Sequence, residues 1–323
     1  MTWLGAADFA AVVDAATKAP SMHNSQPWRF RLGSEHVDLL LDRDRQLAVA
    51  DPTGWASRVA CGAALFNLRL ALAVRSRPAS VRLLPDRQDT GLLARLTPAP
   101  GRPPNPAEQR LYRAVPRRHS NRAPFLDKPV PTGVRAELIA AARAENAWLD
   151  LLLGPAAVEA TAELVQLADE ALRGDPAYRQ ELTAWTRDDA SAADGVPVAA
   201  GGPAPSPGDL LPRRDFGGPR LTGLLDFERE PLIAVLGGIS DWPADQLQVG
   251  QALQRVLLTA TDLSLAASMF SQPIEVPAVR EQLRLALGRH GAPQMLLRFG
   301  YAPPTVASPR RPVDEVLEVV GVD

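Results

Sequence analysis

A short arginine-rich segment has the chemistry needed to bind an anion. Arg118, Ser120 and Arg122 occupy alternate positions, so in an extended backbone their side chains share one face. That face would present two forked guanidinium groups and a hydroxyl, which suits a phosphate monoester. The alternative for any arginine cluster is a solvated basic turn ahead of a helix.

A second segment, residues 20–28, has the pattern Pro-Ser-x-x-Asn-x-Gln-Pro-Trp. It follows a predicted helix and precedes a predicted strand, so it forms a small polar turn that could lie against a flat ring. The alternative is an ordinary helix stop in which Ser21 and Asn24 cap the backbone locally. A pattern this long and fixed has few accidental matches, which favours a function.

The spacing of apolar residues predicts the elements that position these two segments. Residues 8–18 form an amphipathic helix, with Asp8 as its N-cap, and residues 28–32 and 37–41 form a hairpin. Residues 57–74 form a second helix. Proline-rich residues 98–106 then form a linker.

The same order of elements starts again after the linker. An alanine-rich helix leads to a tryptophan, Trp148, that opens an apolar strand, and Gly250 begins a later helix much as Gly62 does. These echoes predict two degenerate copies of one α+β unit, in residues 1–106 and 107–323.

The second copy carries a long insertion, residues 188–220, that is dense in glycine, proline and alanine. Such a composition is typical of a disordered loop. Long loops in compact enzymes also form lids over ligands. Arg213, Arg214 and Phe216 would supply charge and an aromatic ring to a lid. The sequence leaves both interpretations open.

Composition excludes several classes of partner. The 323 residues carry a formal charge of −2, which gives no electrostatic reason to bind nucleic acid or an anionic membrane. Cys61 is the single cysteine and cannot form an internal disulfide, and no residues have metal-ligand spacing. With no leader-like or bilayer-spanning apolar stretch recognised, we expect a soluble cytoplasmic protein.

Together the two segments resemble the cofactor elements of the nitroreductase family, and the fused layout resembles its Acg-like subfamily. The resemblance implies an α+β fold, with a mixed β-sheet core flanked by helices, and a pseudo-dimer within one chain. It also implies one FMN per chain, because only one complete set of parts is present. By family position the FMN-binding residues are Pro20, Ser21, Met22, Asn24, Gln26, Arg118, His119, Ser120, Arg122, Pro273, Ile274, Glu275, Val276 and Arg310.

Two of these elements depart from the family pattern. The family has a Pro-x-Glu-Gly segment facing the reactive nitrogen of the flavin, and here Val276 replaces the glycine after Glu275. A valine keeps the backbone N–H but disfavours unusual backbone angles. In the late basic pair, Arg310 matches the phosphate-binding arginine, Ser308 falls where lysine is usual, and Arg311 is expected in solvent.

The resemblance implies NAD(P)H-dependent reduction of a small-molecule acceptor, such as a nitroaromatic or a quinone, through bound FMN. No catalytic side chain is predicted, because the cofactor performs the electron transfer. The alternative on the same fold is an FMN-sequestering protein with an occluding lid and little reductase activity. A monomer suffices if one chain supplies both halves of the site.

Overall fold

The computed structural model describes residues 3–206, 209–220, 228 and 231–320. Helices and strands are interspersed, so the fold is α+β with a mixed sheet, as the sequence predicts. The helices are α1 Ala6–Thr17, α2 Trp55–Ala73, α3 Pro106–Ala114, α4 Thr132–Arg143, α5 Pro155–Gly174, α6 Pro176–Ala184, α7 Val198–Gly201, α8 Pro243–Asp262, α9 Gln272–Glu275 and α10 Pro277–Ala286. The strands are β1 Trp28–Leu32, β2 Val37–Leu41, β3 Ala79–Leu83, β4 Leu92–Pro98, β5 Trp148–Leu152, β6 Thr186–Arg187, β7 Val196–Pro197, β8 Leu232–Gly237, β9 Ala266–Phe270, β10 Pro293–Gly300 and β11 Leu317–Val319.

Two sheets organise the described residues. The first has the strand order β11-β1-β2-β4-β3, and the second has the order β5-β8-β10-β9. The hairpin β1–β2 is antiparallel, whereas β11 pairs with β1 in parallel, with Phe30 opposite Leu317. The end of the chain therefore joins the sheet that its beginning builds.

The long helices α2 and α8 pack together between the sheets. Gly62 of α2 and Gly250 of α8 meet at their crossing, where a Cβ added to Gly62 would lie 2.9 Å from the Cα of Gly250. Only glycine allows two helix backbones to approach this closely. Asp51 fixes the start of α2, because its carboxylate accepts hydrogen bonds from the N–H groups of Ala56 and Ser57.

Most of the predicted elements are confirmed, and the differences have physical causes. Gly250 does not begin a helix: α8 already starts at Pro243, which suits a first helical position because it lacks an N–H. Asp8 is not an N-cap either, since α1 begins after Gly5. The duplication of one unit in residues 1–106 and 107–323 stays a prediction.

Helix α2 also corrects one expectation. By length and composition it could cross a membrane, although 89% of the stretch is buried inside the protein. Its apolar side chains contact α1, α8 and the first sheet. Packing in the protein core therefore accounts for its composition.

Candidate functional site

A cavity lies where the turn after α1 meets α2, α8 and β9. It encloses about 780 Å³, part of it open to solvent. Pro20, Ser21 and Met22 form one side. All three methionines that follow Met1 line it, namely Met22, Met269 and Met295. Methionine side chains adapt to the shape of a ligand and make favourable contacts with aromatic rings.

The turn between α1 and β1 has an unusual backbone. His23, Asn24 and Gln26 have φ angles of 49°, 56° and 53°. Non-glycine residues rarely adopt this left-handed region, and each such residue costs about 1–3 kcal/mol. Three within four residues indicate that the surrounding structure holds the turn firmly, as happens at functional sites.

Side-chain hydrogen bonds hold this turn in place. The Ser21 hydroxyl accepts a bond of 2.9 Å from the N–H of Gln26. The Gln26 amide donates to the carbonyl of Ala193 and accepts from the N–H of Arg311. Asn24 donates to the carbonyl of Gly195 at 2.9 Å. Gln26 and Asn24 thus fasten the turn to distant parts of the chain.

Arg118 and Arg310 lie behind the turn, beside the end of α1. Arg310 donates to the carbonyls of Thr17 and Ala19 and to the Asn24 side chain. Arg118 is buried and donates to the carbonyl of Lys18, while its Nε has no hydrogen-bond partner among the described residues.

Arg122 completes a cluster of three arginines. It lines the cavity, donates to the carbonyl of Ala200 and lies over the Phe216 ring. Burial, and then the charges of Arg310 and Arg122, lower the pKa of Arg118 to about 9. Burial first, and then a neighbouring arginine, lower the pKa values of Arg122 and Arg310 to about 10.

Among the described residues, no carboxylate neutralises this cluster. In the part of the chain that the structure describes, neither Arg118, Arg122 nor Arg310 forms an ion pair. Buried charges in proteins are normally paired, because an unpaired charge loses its hydration without compensation. The cluster therefore has the electrostatics of an anion site.

Residues 119–121 position the arginines on either side. Asn121 accepts a hydrogen bond from the Ser268 hydroxyl through its carbonyl, and its N–H donates to the carbonyl of Ala267. This anchors the segment to β9. Ser120 is partly buried between Arg118 and Arg122, and the His119 ring bonds the carbonyl of Arg117.

The segment 273–276 lies beside the cavity and does not form its wall. Pro273 and Ile274 are buried in α9, whereas the neighbouring Gln272 faces the cavity. Glu275 forms a buried ion pair with Arg214. Val276 has φ −97° and ψ 105°, an ordinary extended conformation that needs no glycine.

The insertion, residues 188–220, contributes Arg213, Arg214 and Phe216 to the lining of the cavity, and we call its described residues the strap. Phe216 is buried at the cavity, and Arg214 bonds the hydroxyls of Tyr178 and Ser271 as well as Glu275. Arg45 and Arg187 both pair with Asp194. These contacts tie the described part of the strap to α6, α9 and the segment after β2.

Sequence reasoning missed several residues of this cavity. His23 is not among the predicted site residues, yet it is buried against the cavity, with both ring nitrogens unpartnered among the described residues. Met269 and Met295 are separated from Met22 by more than 240 residues. The sequence feature that could have identified them is the small number of methionines, since the chain has only four. Arg311 was expected in solvent, but its side chain is 12% exposed and contacts Asp42.

Comparison with known proteins decides the family. The model of the nitroreductase family matches residues 115–301, which is more than half of the chain. The chain belongs to the nitroreductase family. It is 36% identical to the "Putative NAD(P)H nitroreductase Rv3131" of Mycobacterium tuberculosis H37Rv, over 95% of this chain and 90% of that protein. It is 30% identical to the "Putative NAD(P)H nitroreductase acg" of the same strain, over 97% and 96% of the two chains.

Solved nitroreductases overlap this chain only in part. The FMN and NADPH-dependent nitroreductase NfnB from sphigopyxis sp. strain HMH aligns with 65% of this chain and 99% of its own, at 20% identity and a TM-score of 0.42. An overlap of this size carries no argument about the site. The family assignment depends on the family model and on the two mycobacterial relatives.

Proposed function

We propose that this nitroreductase binds one FMN per chain and uses NAD(P)H to reduce a nitroaromatic or quinone-type acceptor. The observation that carries the proposal is the cluster of Arg118, Arg122 and Arg310, which has no carboxylate partner in the described residues. A phosphate dianion at the cluster would supply the missing negative charge and accept forked hydrogen bonds. The unpartnered Nε of Arg118 is one donor ready for it.

The rest of the cavity fits the ring of the same cofactor. Pro20, Ser21 and Met22 offer a narrow face at the turn, and Met269 and Met295 offer flexible apolar contacts. FMN held there would supply two-electron redox chemistry between a reduced nicotinamide and the acceptor. The protein binds the cofactor, orients it and, through the strap, excludes water from it.

The structure suggests a division of roles among the family positions. Arg118, Arg122 and Arg310 would neutralise the phosphate, with Ser120 and the His119 backbone at its edge. Asn24 and Gln26 would act indirectly, because their side chains hold the turn and the strap. Segment 273–276 would act through the Glu275–Arg214 pair and the placement of Gln272.

Paired titrations with FMN and riboflavin test the phosphate assignment. Riboflavin has the same ring without the phosphate, so the ratio of the two dissociation constants isolates the contribution of the arginines. Arg118→Ala should weaken FMN binding about ten- to hundredfold and leave riboflavin binding nearly unchanged, because a charge-assisted bond contributes about 1.5–3 kcal/mol.

Arg117→Ala is the matched control, since the neighbouring Arg117 side chain is 54% exposed. It should leave both titrations unchanged. Equal affinity of the wild-type protein for FMN and riboflavin would contradict the phosphate assignment. Absence of binding to either would contradict the proposed function itself.

The bonded strap favours a second candidate, FMN storage. The strap contacts both segments that the resemblance assigns to FMN binding: Gly195 bonds Asn24, and Ala200 bonds Arg122. It also places Phe216 in the cavity. Under storage, NADPH would not bleach the wild-type flavin, but Arg214→Gln, which loosens the strap, would permit bleaching. Rapid bleaching and quinone turnover by the wild-type protein would exclude storage.

One chain contributes both segments of the proposed site, so a monomer would be sufficient. Light scattering combined with FMN titration tests this directly. A monomer that binds one equivalent of FMN is the expected result. Binding that appears only in a dimer would contradict it.

A further inference from the structure

His23 is a buried polar residue of the cavity to which the proposed binding roles assign no function. The residue is 4% exposed and lines the cavity beside Met22. Neither Nδ1 nor Nε2 has a hydrogen-bond partner within the described residues. A buried donor or acceptor without a partner destabilises the folded protein, so this position is unfavourable unless a ligand completes it.

The backbone shows that this placement is imposed by the fold. His23 has φ 49° and ψ 21°, which is the left-handed region. A histidine there holds its ring toward the cavity at a conformational cost, while Asn24 next to it directs its amide to the strap.

The neighbours of the imidazole fix its charge and its orientation. Burial, and then the charges of Arg214 and Arg122, lower the pKa of His23 well below its ordinary value. The ring is therefore neutral at physiological pH, with one N–H donor and one acceptor nitrogen. Phe216 meets it edge to face, with centroids 6.0 Å apart, so the strap side of the ring is occupied by an apolar group.

We propose that His23 hydrogen-bonds a carbonyl group of a planar, uncharged ring system enclosed between the turn and the strap. This inference depends on the proposed function. Two ligands share the required chemistry: the carbonyl-bearing edge of the flavin ring, and a quinone-type acceptor beside it. Guanidinium groups nearby disfavour a cationic ligand, and the methionine-lined wall favours a flat apolar one.

Two substitutions separate the hydrogen bond from the backbone conformation. Asparagine adopts the left-handed region more readily than other residues and keeps a donor and an acceptor, so His23→Asn is the conservative variant. His23→Leu removes all hydrogen bonding. Both variants lose the imidazole ring. They differ in their polar groups and in their tolerance of the left-handed backbone, so the readouts below report on the bound ring system and not on stability.

The first arm measures FMN affinity and the absorbance spectrum of the bound flavin. If His23 bonds the flavin, His23→Leu should weaken FMN and riboflavin alike by about five- to tenfold, the effect of one neutral hydrogen bond, and shift the flavin spectrum. His23→Asn should restore most of the FMN affinity and most of the wild-type flavin spectrum.

The second arm measures KM for 1,4-naphthoquinone with NADPH as donor. If His23 bonds the acceptor, KM should rise five- to tenfold in His23→Leu, with an unchanged flavin spectrum.

The outcomes distinguish this inference from the proposed function. Suppose that the wild-type protein binds FMN through Arg118, but His23→Leu changes neither FMN affinity, the flavin spectrum nor KM for the quinone. That result overturns the role of His23 and leaves the proposed function standing. Wild-type protein that binds no FMN overturns both. If His23→Leu and His23→Asn are equally impaired, the imidazole serves packing and the hydrogen bond is refuted.

Discussion

Replacing Arg118 with methionine should change stability and ligand binding in opposite directions. Methionine keeps much of the side-chain volume and removes the charge. The pKa of Arg118 is lowered to about 9, chiefly by burial and then by Arg310 and Arg122. Because one pKa unit corresponds to about 1.4 kcal/mol, holding this charge at neutral pH costs the FMN-free fold on the order of 5 kcal/mol.

Removing this charge should stabilise the fold, but the variant loses part of that stabilisation. The hydrogen bond of 3.1 Å from Arg118 to the carbonyl of Lys18 disappears, and an unpaired buried carbonyl costs about 1–3 kcal/mol. We therefore expect Arg118→Met to raise the unfolding free energy of the FMN-free protein by about 2–4 kcal/mol, within the range found when apolar residues replace buried charges. FMN affinity should fall about ten- to hundredfold.

Urea denaturation of the FMN-free proteins and fluorescence titration with FMN measure the two effects. Arg117→Met, at an exposed position, is the control and should change neither. A less stable Arg118→Met that binds FMN normally would refute the reasoning, because it would make Arg118 a structural residue and leave the anion site without support.

The dependence on pH has a definite sign. Arg118 has a lower pKa in the folded protein than in the unfolded chain, so below pH 9 it is charged in both states and the folded state carries the full cost. As pH rises above 9 the folded form releases its proton and the cost fades. The stability advantage of Arg118→Met over the wild type should therefore shrink between pH 8 and pH 10.5. An advantage that does not change with pH would contradict burial of the charge.

Three further substitutions test the fold and the strap. Gly62→Ala should destabilise the protein by about 1–3 kcal/mol in thermal or urea unfolding, because its methyl group separates the crossing helices, whereas Gly133→Ala, with open space around it, should be neutral or stabilising. Glu275→Gln leaves the Arg214 charge buried and unpaired, so we expect a loss of about 3–5 kcal/mol and faster hydrogen exchange in the strap; unchanged exchange would show that this pair does not hold it. Asn24→Ala removes the hydrogen bond to the Gly195 carbonyl in the strap and should raise exchange at residues 193–196 specifically.

The sequence predicts local elements and patterns of chemistry better than it predicts their contacts. The hairpin of β1 and β2 has the predicted bounds, because alternating apolar residues determine strands locally. The predicted start of α8, Gly250, was wrong by seven residues, because it was inferred from the neighbouring residues alone. Its actual role is contact with Gly62, 188 positions away, which no local rule contains.

The same limit applies to the candidate site. The pattern of residues 20–28 identified a turn, but nothing in it states that His23 adopts a left-handed backbone and faces inward. Composition suggested that the strap could be disordered. Its order depends on pairs such as Arg214 with Glu275, separated by 61 residues, which form only after the chain has folded.

The turn at residues 20–26 joins the anion site to the strap. The Asn24 amide donates to Gly195 in the strap, and its oxygen accepts from Arg310 in the arginine cluster. A ligand that draws Arg310 forward must therefore act on the same side chain that holds the strap. Under the proposed function this coupling would be reciprocal: an anion bound at the cluster would favour contact between the turn and the strap, and that contact would favour the anion equally. This accounts for the polar residues Asn24 and Gln26 in segment 20–28, which connect the turn to the strap and to Arg310 instead of lining the cavity.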